Sequence, residues 1–294
     1  MDPTEVPWTH EHSWKLAAPP ARVFAAFTDP GQLTQWFAER ADIALEASGR
    51  FRFWGRHTLG TPTQAEAQQT VSRLESDRVL EFRWVIGKVP TEVRLALASD
   101  GEGCRLTLHH TVSGDLGRPR QRELIDDHWR LAFGNLACHL AGGAGIVLPD
   151  YGDRRPTVKL SIVVAAPREA VFRALIEPNA INQWFGSKAS VVEPRVGGRY
   201  ELGWKYQVDG TDVSGGPTRI LEFVENEKLV LDWPDWRGNP SVGGQWIGFY
   251  LVAEGSGTRV NFVHGGFTHP AEQSDYPFGW AFFLGELLKV AEQM

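Results

Sequence analysis

Apolar and polar side chains alternate along six stretches in the first half of the chain, and this period of two predicts β-strands. Glycine-rich or acidic turns separate the stretches, as at residues 100–103. The stretches are residues 43–46, 51–56, 68–74, 79–85, 92–98 and 105–112. Together with a further strand at residues 12–17, they predict an antiparallel sheet.

Helical periodicity appears at both ends of this half. Pro19 and Pro20 suit the first turn of a short helix through Phe27, and a second short helix is predicted over residues 31–37. A long helix is predicted over residues 120–140. Its apolar stripe consists of Trp129, Ala132, Phe133, Leu136 and Leu140. Such a stripe needs an apolar partner, so we expect the long helix to pack against the concave face of the sheet.

The second half repeats this order at an offset of 148 residues, as at Trp36-Phe37 and Trp184-Phe185. It predicts a strand at 157–164, short helices at 168–176 and 179–185, strands between 190 and 264, and a closing helix from 277. The stripe of that helix consists of Trp280, Phe283, Leu284, Leu287 and Ala291. A period of this length is too long for a solenoid repeat and predicts two complete domains, at 10–141 and 157–294, joined by a linker at 142–156.

The inward faces of the strands carry large apolar side chains followed, in both halves, by a histidine. His110 and His264 each take the next inward position after a run of aliphatic residues. Rings as large as tryptophan hold the closing helix away from the sheet, so we expect a pocket between them. The residues predicted to line it are Trp36, Phe53, Trp84, His110, Trp129, Phe133, Trp184, Trp204, Trp233, Phe249, His264, Trp280 and Leu284.

Two interpretations stay open for the histidines, and two for the tryptophans of the second short helices. Each histidine either contacts a ligand or hydrogen-bonds a backbone group or water. Trp36 and Trp184 either border the mouth of the pocket or pin their helix to the sheet.

Composition narrows the class of protein. A chain of 294 residues with a formal charge of −6 has no concentration of basic residues, which argues against nucleic acid as a partner. Only two cysteines occur, Cys104 and Cys138, so we expect a reducing compartment and no disulfide framework. The first residues contain no long apolar run, so we expect no signal peptide, no integral membrane segment and a cytoplasmic location.

Motifs for chemistry are scarce. We find no nucleophile elbow, no paired inward carboxylates and no cofactor fingerprint, and therefore predict no cofactor and no catalytic residue. His10 and His12 share one strand face, but they form a metal site only with help from elsewhere in the chain. No cluster at ligand spacing is visible in the sequence, so no metal is expected.

Several segments resemble a known family. They are "APPARVFAAFTDPGQLTQWF" and "AAPREAVFRALIEPNAINQWF", the "GRF" and "GGRY" strand starts, and the "GWAFFLGELLKVAE" end. They resemble the START-like superfamily, also called SRPBCC or Bet v 1-like, and within it the branch of the activator of Hsp90 ATPase homologue 1-like proteins. The resemblance implies an α+β fold of two tandem helix-grip domains. In each, a seven-stranded antiparallel sheet wraps the C-terminal helix around an apolar cavity.

Three functions follow as hypotheses, because this fold hosts many activities. The first is binding of small hydrophobic or amphipathic molecules, one cavity in each domain. The second, which the branch name alone suggests, is interaction with the chaperone Hsp90 as a co-chaperone. The third is a cyclase- or hydrolase-like enzyme with a cavity histidine, His110 or His264, as general base.

Overall fold

The structure is a computed structural model that describes residues 6–45, 49–208, 210–239 and 242–294. The chain forms two compact units. The first runs through Arg154 and includes the later segment His269–Asp275, and the second contains Arg155–Thr268 and Tyr276–Met294. Each unit has its own cluster of buried apolar side chains.

The first unit combines seven strands with three α-helices. The helices are α1 (Pro20–Thr28), α2 (Pro30–Trp36) and α3 (Gln121–Leu140). The strands are β1 (Trp8–Leu16), β2 (Arg40–Ala44), β3 (Arg50–Trp54), β4 (Thr70–Glu75), β5 (Val79–Ile86), β6 (Val89–Asp100) and β7 (Gly103–Val112). A short 3-10 helix, Pro270–Gln273, also belongs to this unit.

The seven strands form one antiparallel sheet in the order β1-β7-β6-β5-β4-β3-β2. The pairing of β1 with β7 places His10 opposite His110 and His12 opposite Leu108. The helix α3 contacts β1 and α2, and its side chains Ile125, Trp129 and Leu136 are fully buried. The predicted order of elements and the sheet with a closing helix are therefore confirmed for this unit. The predicted strand at 43–46 extends to Glu46, which lies outside the described residues.

The second unit repeats the helices and divides its strands among smaller sheets. The helices are α4 (Arg168–Ile176), α5 (Pro178–Trp184) and α6 (Tyr276–Ala291). The strands are β8 (Val158–Val164), β9 (Val191–Val192), β10 (Tyr200–Glu201), β11 (Trp204–Val208), β12 (Thr211–Gly215), β13 (Ile220–Val224), β14 (Lys228–Asp232), β15 (Trp246–Glu254) and β16 (Gly257–Gly265).

Five of these strands form an antiparallel sheet in the order β13-β14-β15-β16-β8, and two shorter pairs form beside it, β9 with β10 and β11 with β12. An isolated bridge between Arg199 and Arg219 connects the segment before β10 to the segment before β13. This differs from the single seven-stranded sheet that the resemblance implies. Gly203 and Gly216 flank the β11–β12 pair, and both have positive φ, +69° and +87°. Backbone in that region leaves the extended conformation, so the ladder is interrupted there.

Local chemistry explains why the helices begin where they do. Pro20 takes the first position of α1, where the missing N–H costs nothing. The Asp29 side chain caps α2 by accepting a 2.8 Å hydrogen bond from the Gln32 backbone nitrogen. In α5 the equivalent cap residue, Glu177, makes no such bond.

Two glycines at matching positions let the first strand of each unit meet the last. A Cβ on Gly103 would lie 2.1 Å from the Leu16 carbonyl oxygen, and a Cβ on Gly257 would lie 2.5 Å from that of Val164. No side chain fits at either distance, so glycine is needed at both places. The end of β1 can therefore pack closely against the start of β7, and the end of β8 against the start of β16.

Candidate functional site

The inward histidine of each unit is hydrogen-bonded to a tryptophan of the closing helix. Trp129 Nε1 donates to His110 Nδ1 at 2.8 Å, and Trp280 Nε1 donates to His264 Nδ1 at 3.1 Å. Both histidines are completely buried. They lie on β7 and β16, at the positions the strand alternation predicts.

A second tryptophan, from the neighbouring part of the sheet, completes the arrangement. The Trp84 ring stacks on His110 with centroids 5.8 Å apart, and the Trp233 ring meets His264 edge-on at 5.9 Å. Trp233 also contacts Trp280 at 4.9 Å. The structure thus brings six of the predicted lining residues into two matching groups of one histidine and two tryptophans, which we call the Trp-His-Trp groups.

The second ring nitrogen of each histidine has no hydrogen-bond partner. Nε2 of His110 and Nε2 of His264 are both buried and unpaired within the part of the chain that the structure describes. Since Nδ1 accepts a hydrogen bond, the neutral ring carries its proton on Nε2. Each unit therefore holds a buried N–H donor without an acceptor, which is rare in folded proteins.

Burial keeps both rings neutral. Desolvation lowers the pKa of His264 to about 3. Desolvation, followed by the nearby rings of His128 and His10, lowers the pKa of His110 well below its ordinary value. A neutral ring with a free N–H suits an uncharged acceptor such as a carbonyl, ether or phenol oxygen.

The same geometry disfavours a catalytic base. A general base needs an available lone pair and a pKa near the working pH. In both histidines the Nδ1 lone pair already accepts from an indole, and the pKa is too low for efficient proton abstraction. These rings can donate and orient, but they are poorly suited to remove a proton.

The interior of the first unit contains two further polar rings. His128, on α3, is buried, and its Nδ1 lies 2.5 Å from the Tyr151 hydroxyl. Its Nε2 and the Trp84 Nε1 are also buried without a partner among the described residues. Desolvation, with a smaller contribution from His269, lowers the pKa of His128 to about 3. The cleft bordered by His128, Tyr151 and Trp36 has a volume of only ≈10 Å³, room for about one water molecule.

The second unit has a larger groove beside its Trp-His-Trp group. It has a volume of ≈360 Å³, within the range of small-molecule sites. Trp233, Val242 and Pro234 supply its apolar wall, and Asp232, Arg219 and Gln245 supply polar groups. Gln245 Oε1 is buried without a partner among the described residues. The residue that carries this buried acceptor and the aromatic ring of Trp233 therefore line the same groove.

Two predicted lining residues, Trp36 and Trp184, make hydrogen bonds that connect helices. Trp36 Nε1 donates to the Ala26 carbonyl at 3.1 Å, and Trp184 Nε1 donates to the Ala174 carbonyl at 2.9 Å. These bonds tie the second short helix to the first in each unit. Both indole nitrogens are thus already paired, which leaves only ring surface for any ligand.

The other predicted lining residues contribute apolar surface to the two interiors. The distances between ring centroids are 5.3 Å for Phe53 and Trp84, 5.1 Å for the stacked pair Phe133 and Trp129, and 5.2 Å for Phe249 and Phe262. Leu284 is buried on α6. Trp204 is partly exposed and contacts Phe185 and Phe283 at 5.5 and 5.9 Å.

Several residues of these interiors were not among the site residues predicted from the sequence. His128 directly precedes Trp129 on a helix, so the apolar stripe concealed it. Tyr151 lies in the segment interpreted as a linker, and Gln245 follows a glycine-rich loop without regular periodicity. Of these residues, only His128 could have been indicated by the sequence, because a histidine is unusual inside a predicted apolar helix.

One group of potential metal ligands occurs within the described residues. A ring nitrogen from each of His10 and His12 and a carboxylate oxygen of Asp126 all lie within 4.8 Å of one another. No cluster at ligand spacing is visible in the sequence because Asp126 comes from the distant helix α3. Cys104 and Cys138 are both free thiols.

The geometry defines a tandem helix-grip α+β protein with a polar ring buried in each interior. The family model for activator of Hsp90 ATPase homolog 1-like proteins matches residues 17–141 and 165–292, one segment in each half. The chain therefore belongs to this family, as the sequence resemblance indicated. No curated protein matches the chain.

Solved structures with similarity include full-length and half-length matches. DynU16, a putative protein in the dynemicin biosynthetic locus, is 18% identical, with 97% of this chain and 98% of that chain covered and a TM-score of 0.38. CalU16 from Micromonospora echinospora is 26% identical, with 46% and 76% covered and a TM-score of 0.35. The Aha1 dimer from Colwellia psychrerythraea is 21% identical, with 47% and 96% covered and a TM-score of 0.39.

Among the described residues, no helix is both long enough and apolar enough to span a membrane.

Proposed function

We propose that this protein binds small amphipathic molecules that carry an uncharged hydrogen-bond acceptor, with the second unit as the principal site. The observation that carries the proposal is the unpaired Nε2–H of His264, buried among aromatic rings and repeated at His110. A buried donor without a partner costs about 1–3 kcal/mol. A ligand oxygen would remove this cost, which is why such a donor favours binding.

The groove at Trp233 supports the second unit as the site. Its ≈360 Å³ accommodates a molecule of one or two rings. Trp233 lines the groove and contacts His264 and Trp280, with ring centroids 5.9 and 4.9 Å apart. His264 itself does not line the groove, so a ligand there reaches the His264 Nε2–H only when the Trp233 side chain changes rotamer. The ligand's acceptor would then meet the His264 Nε2–H and its apolar part would pack on the Trp233 indole, while Gln245 and Arg219 would face the end that remains in the groove.

The first unit offers the same donor with less space beside its buried rings. Its described cleft beside His128 holds about one water molecule. A ligand there would have to displace side chains such as Phe37, which contacts Trp129 at 6.0 Å. We therefore expect weaker binding at His110 than at His264.

Tryptophan fluorescence titration of the full chain tests the proposal. The probes are aryl ketones, phenols and medium-chain fatty acids, and native mass spectrometry gives the stoichiometry. We expect saturable quenching by a ketone or phenol, and a loss of affinity of about tenfold in His264→Leu, which removes the donor. The surface variant His109→Gln serves as the control. A complete absence of saturable binding across the three classes would contradict the proposal.

Family membership supports a second candidate, regulation of the Hsp90 ATPase. The family model matches both halves, and its name describes that activity. We would measure ATP hydrolysis by purified Hsp90 with increasing amounts of the full chain. A stimulated rate of ATP hydrolysis would favour this candidate. An unchanged rate, together with saturable ligand binding, would exclude it and support only the small-molecule function.

A further inference from the structure

We propose that the first unit contains a binding site for a divalent transition-metal ion, formed by His10, His12 and Asp126. The three side chains come from two elements, the edge strand β1 and the helix α3. This proposal is independent of the ligand site at His264, which lies in the other unit.

The backbone places the two histidines side by side. Residues two apart on a strand point to the same face, and His10 and His12 stack with ring centroids 6.3 Å apart. Asp126 supplies the third donor, and the three ligand atoms lie within 4.8 Å of one another. Metal–ligand bonds of about 2.1 Å separate neighbouring donors by about 3–3.5 Å, so small rotations of the side chains would complete the site.

The carboxylate of Asp126 is already held in position. Its Oδ2 accepts a 3.0 Å hydrogen bond from Arg130 Nε, while its Oδ1 faces His10 Nε2 at 3.7 Å. Metal-binding carboxylates are commonly hydrogen-bonded on their other oxygen in this way. Arg130 also contacts Asp275 at 3.4 Å. Two carboxylates around one guanidinium leave a net negative charge, which favours a cation.

The second unit shows that the fold does not require these three residues. The offset of 148 places Val158 and Leu160 at the positions of His10 and His12, and the register confirms it, since Val158 pairs with His264 as His10 pairs with His110. Aligning Trp129 with Trp280 places Pro277 at the position of Asp126. The equivalent side chains there cannot bind a metal, so the donors are specific to the first unit.

The donor set determines the kind of metal. Two imidazoles and one carboxylate suit Zn²⁺ and other late divalent ions of the first transition row, whereas Ca²⁺ and Mg²⁺ prefer oxygen ligands alone. The side chains of His10 and Asp126 are 13% and 16% exposed to solvent. Three protein ligands with partial exposure leave a coordination position for water or another small ligand.

Isothermal titration of the metal-free full chain with ZnCl₂ tests the proposal, and Co²⁺ absorption reports the coordination geometry. We expect one strong site in the wild-type protein. His12→Gln should weaken Zn²⁺ binding by about tenfold or more, and His10→Val/His12→Leu should abolish it. The double variant uses the residues that the second unit carries at these positions, so it is designed to keep the fold.

His109→Gln is the matched control, because His109 lies on the outer face of the same sheet and pairs with Glu11 at 3.2 Å. It should bind Zn²⁺ as the wild-type protein does. Thermal unfolding in EDTA checks that each variant is folded. Equal Zn²⁺ affinity in the wild-type protein and the folded double variant would overturn the proposal, as would the absence of a strong site in the wild-type protein.

Discussion

The indole nitrogen of Trp129 donates a 2.8 Å hydrogen bond to Nδ1 of His110, and both residues are fully buried. Trp280 and His264 repeat this relationship in the second unit. Each bond fixes one tautomer of the histidine and directs the remaining N–H into the interior. The duplicated chain has thus kept the same orientation of a polar ring in two copies.

Nuclear magnetic resonance of protein with ¹⁵N-labelled histidine tests this tautomer. We expect Nε2 of His110 and His264 to carry the proton, and both rings to stay neutral at pH 6, because burial lowers the pKa of each. Long-range ¹H–¹⁵N spectra recorded between pH 8 and 5 provide the measurement. A proton on Nδ1, or titration of either ring near pH 6.5, would contradict the assignment.

Acid should destabilise the protein through His264. Its pKa is about 3 in the folded state, while an unfolded histidine titrates near about 6.5. Between these values the unfolded chain binds a proton that the folded chain does not, so stability falls as the pH decreases below about 6.5. At pH 5 this residue alone would reduce the free energy of unfolding by about 2 kcal/mol.

Urea denaturation at pH 8 and pH 5 measures this effect. The wild-type protein should lose about 2 kcal/mol more than His264→Leu between the two conditions. An identical pH dependence in wild-type protein and His264→Leu would show that this ring does not remain neutral in the folded state.

Two tryptophan variants should separate orientation from packing. Trp280→Phe removes the donor to His264, and Trp184→Phe removes the donor to the Ala174 carbonyl. Each leaves a buried acceptor unsatisfied, so each should cost about 1–3 kcal/mol of stability. Only Trp280→Phe should alter the tautomer of His264 and the affinity for a ligand. Urea denaturation and ligand titration, performed on both variants, provide the comparison.

If Trp184→Phe lowered the affinity for the ligand as much as Trp280→Phe does, Trp184 would line the ligand site. Its placement in the sequence analysis among the lining residues stays a prediction until that measurement. The hydrogen bond to Ala174 is the reason to expect a packing role instead.

Much of the fold could be predicted because its periodicities are strong. The predicted helix at 120–140 corresponds to α3, and the helices at 168–176 and 179–185 correspond to α4 and α5. The inward positions of His110 and His264 followed from strand alternation alone. Duplication helped, since each pattern could be checked against its copy.

The parts that could not be predicted depend on contacts between distant residues. The approach of Asp126 to His10 and His12 depends on how α3 packs across β1, which no local pattern encodes. The division of the second sheet follows from glycine conformations at Gly203 and Gly216, which sequence alone does not reveal. Hydrogen bonds such as that of Trp184 to Ala174 likewise appear only once the helices are placed.

The most direct test compares two ligands that differ only at the acceptor. The best-binding aryl ketone from the panel and its analogue with a methylene in place of the carbonyl would be titrated calorimetrically against wild-type protein and His264→Leu. We expect the wild-type protein to prefer the ketone by about tenfold, or about 1.4 kcal/mol, and His264→Leu to show no preference. Equal affinity of the wild-type protein for both molecules would contradict the assignment of His264 Nε2–H as the group that recognises the ligand.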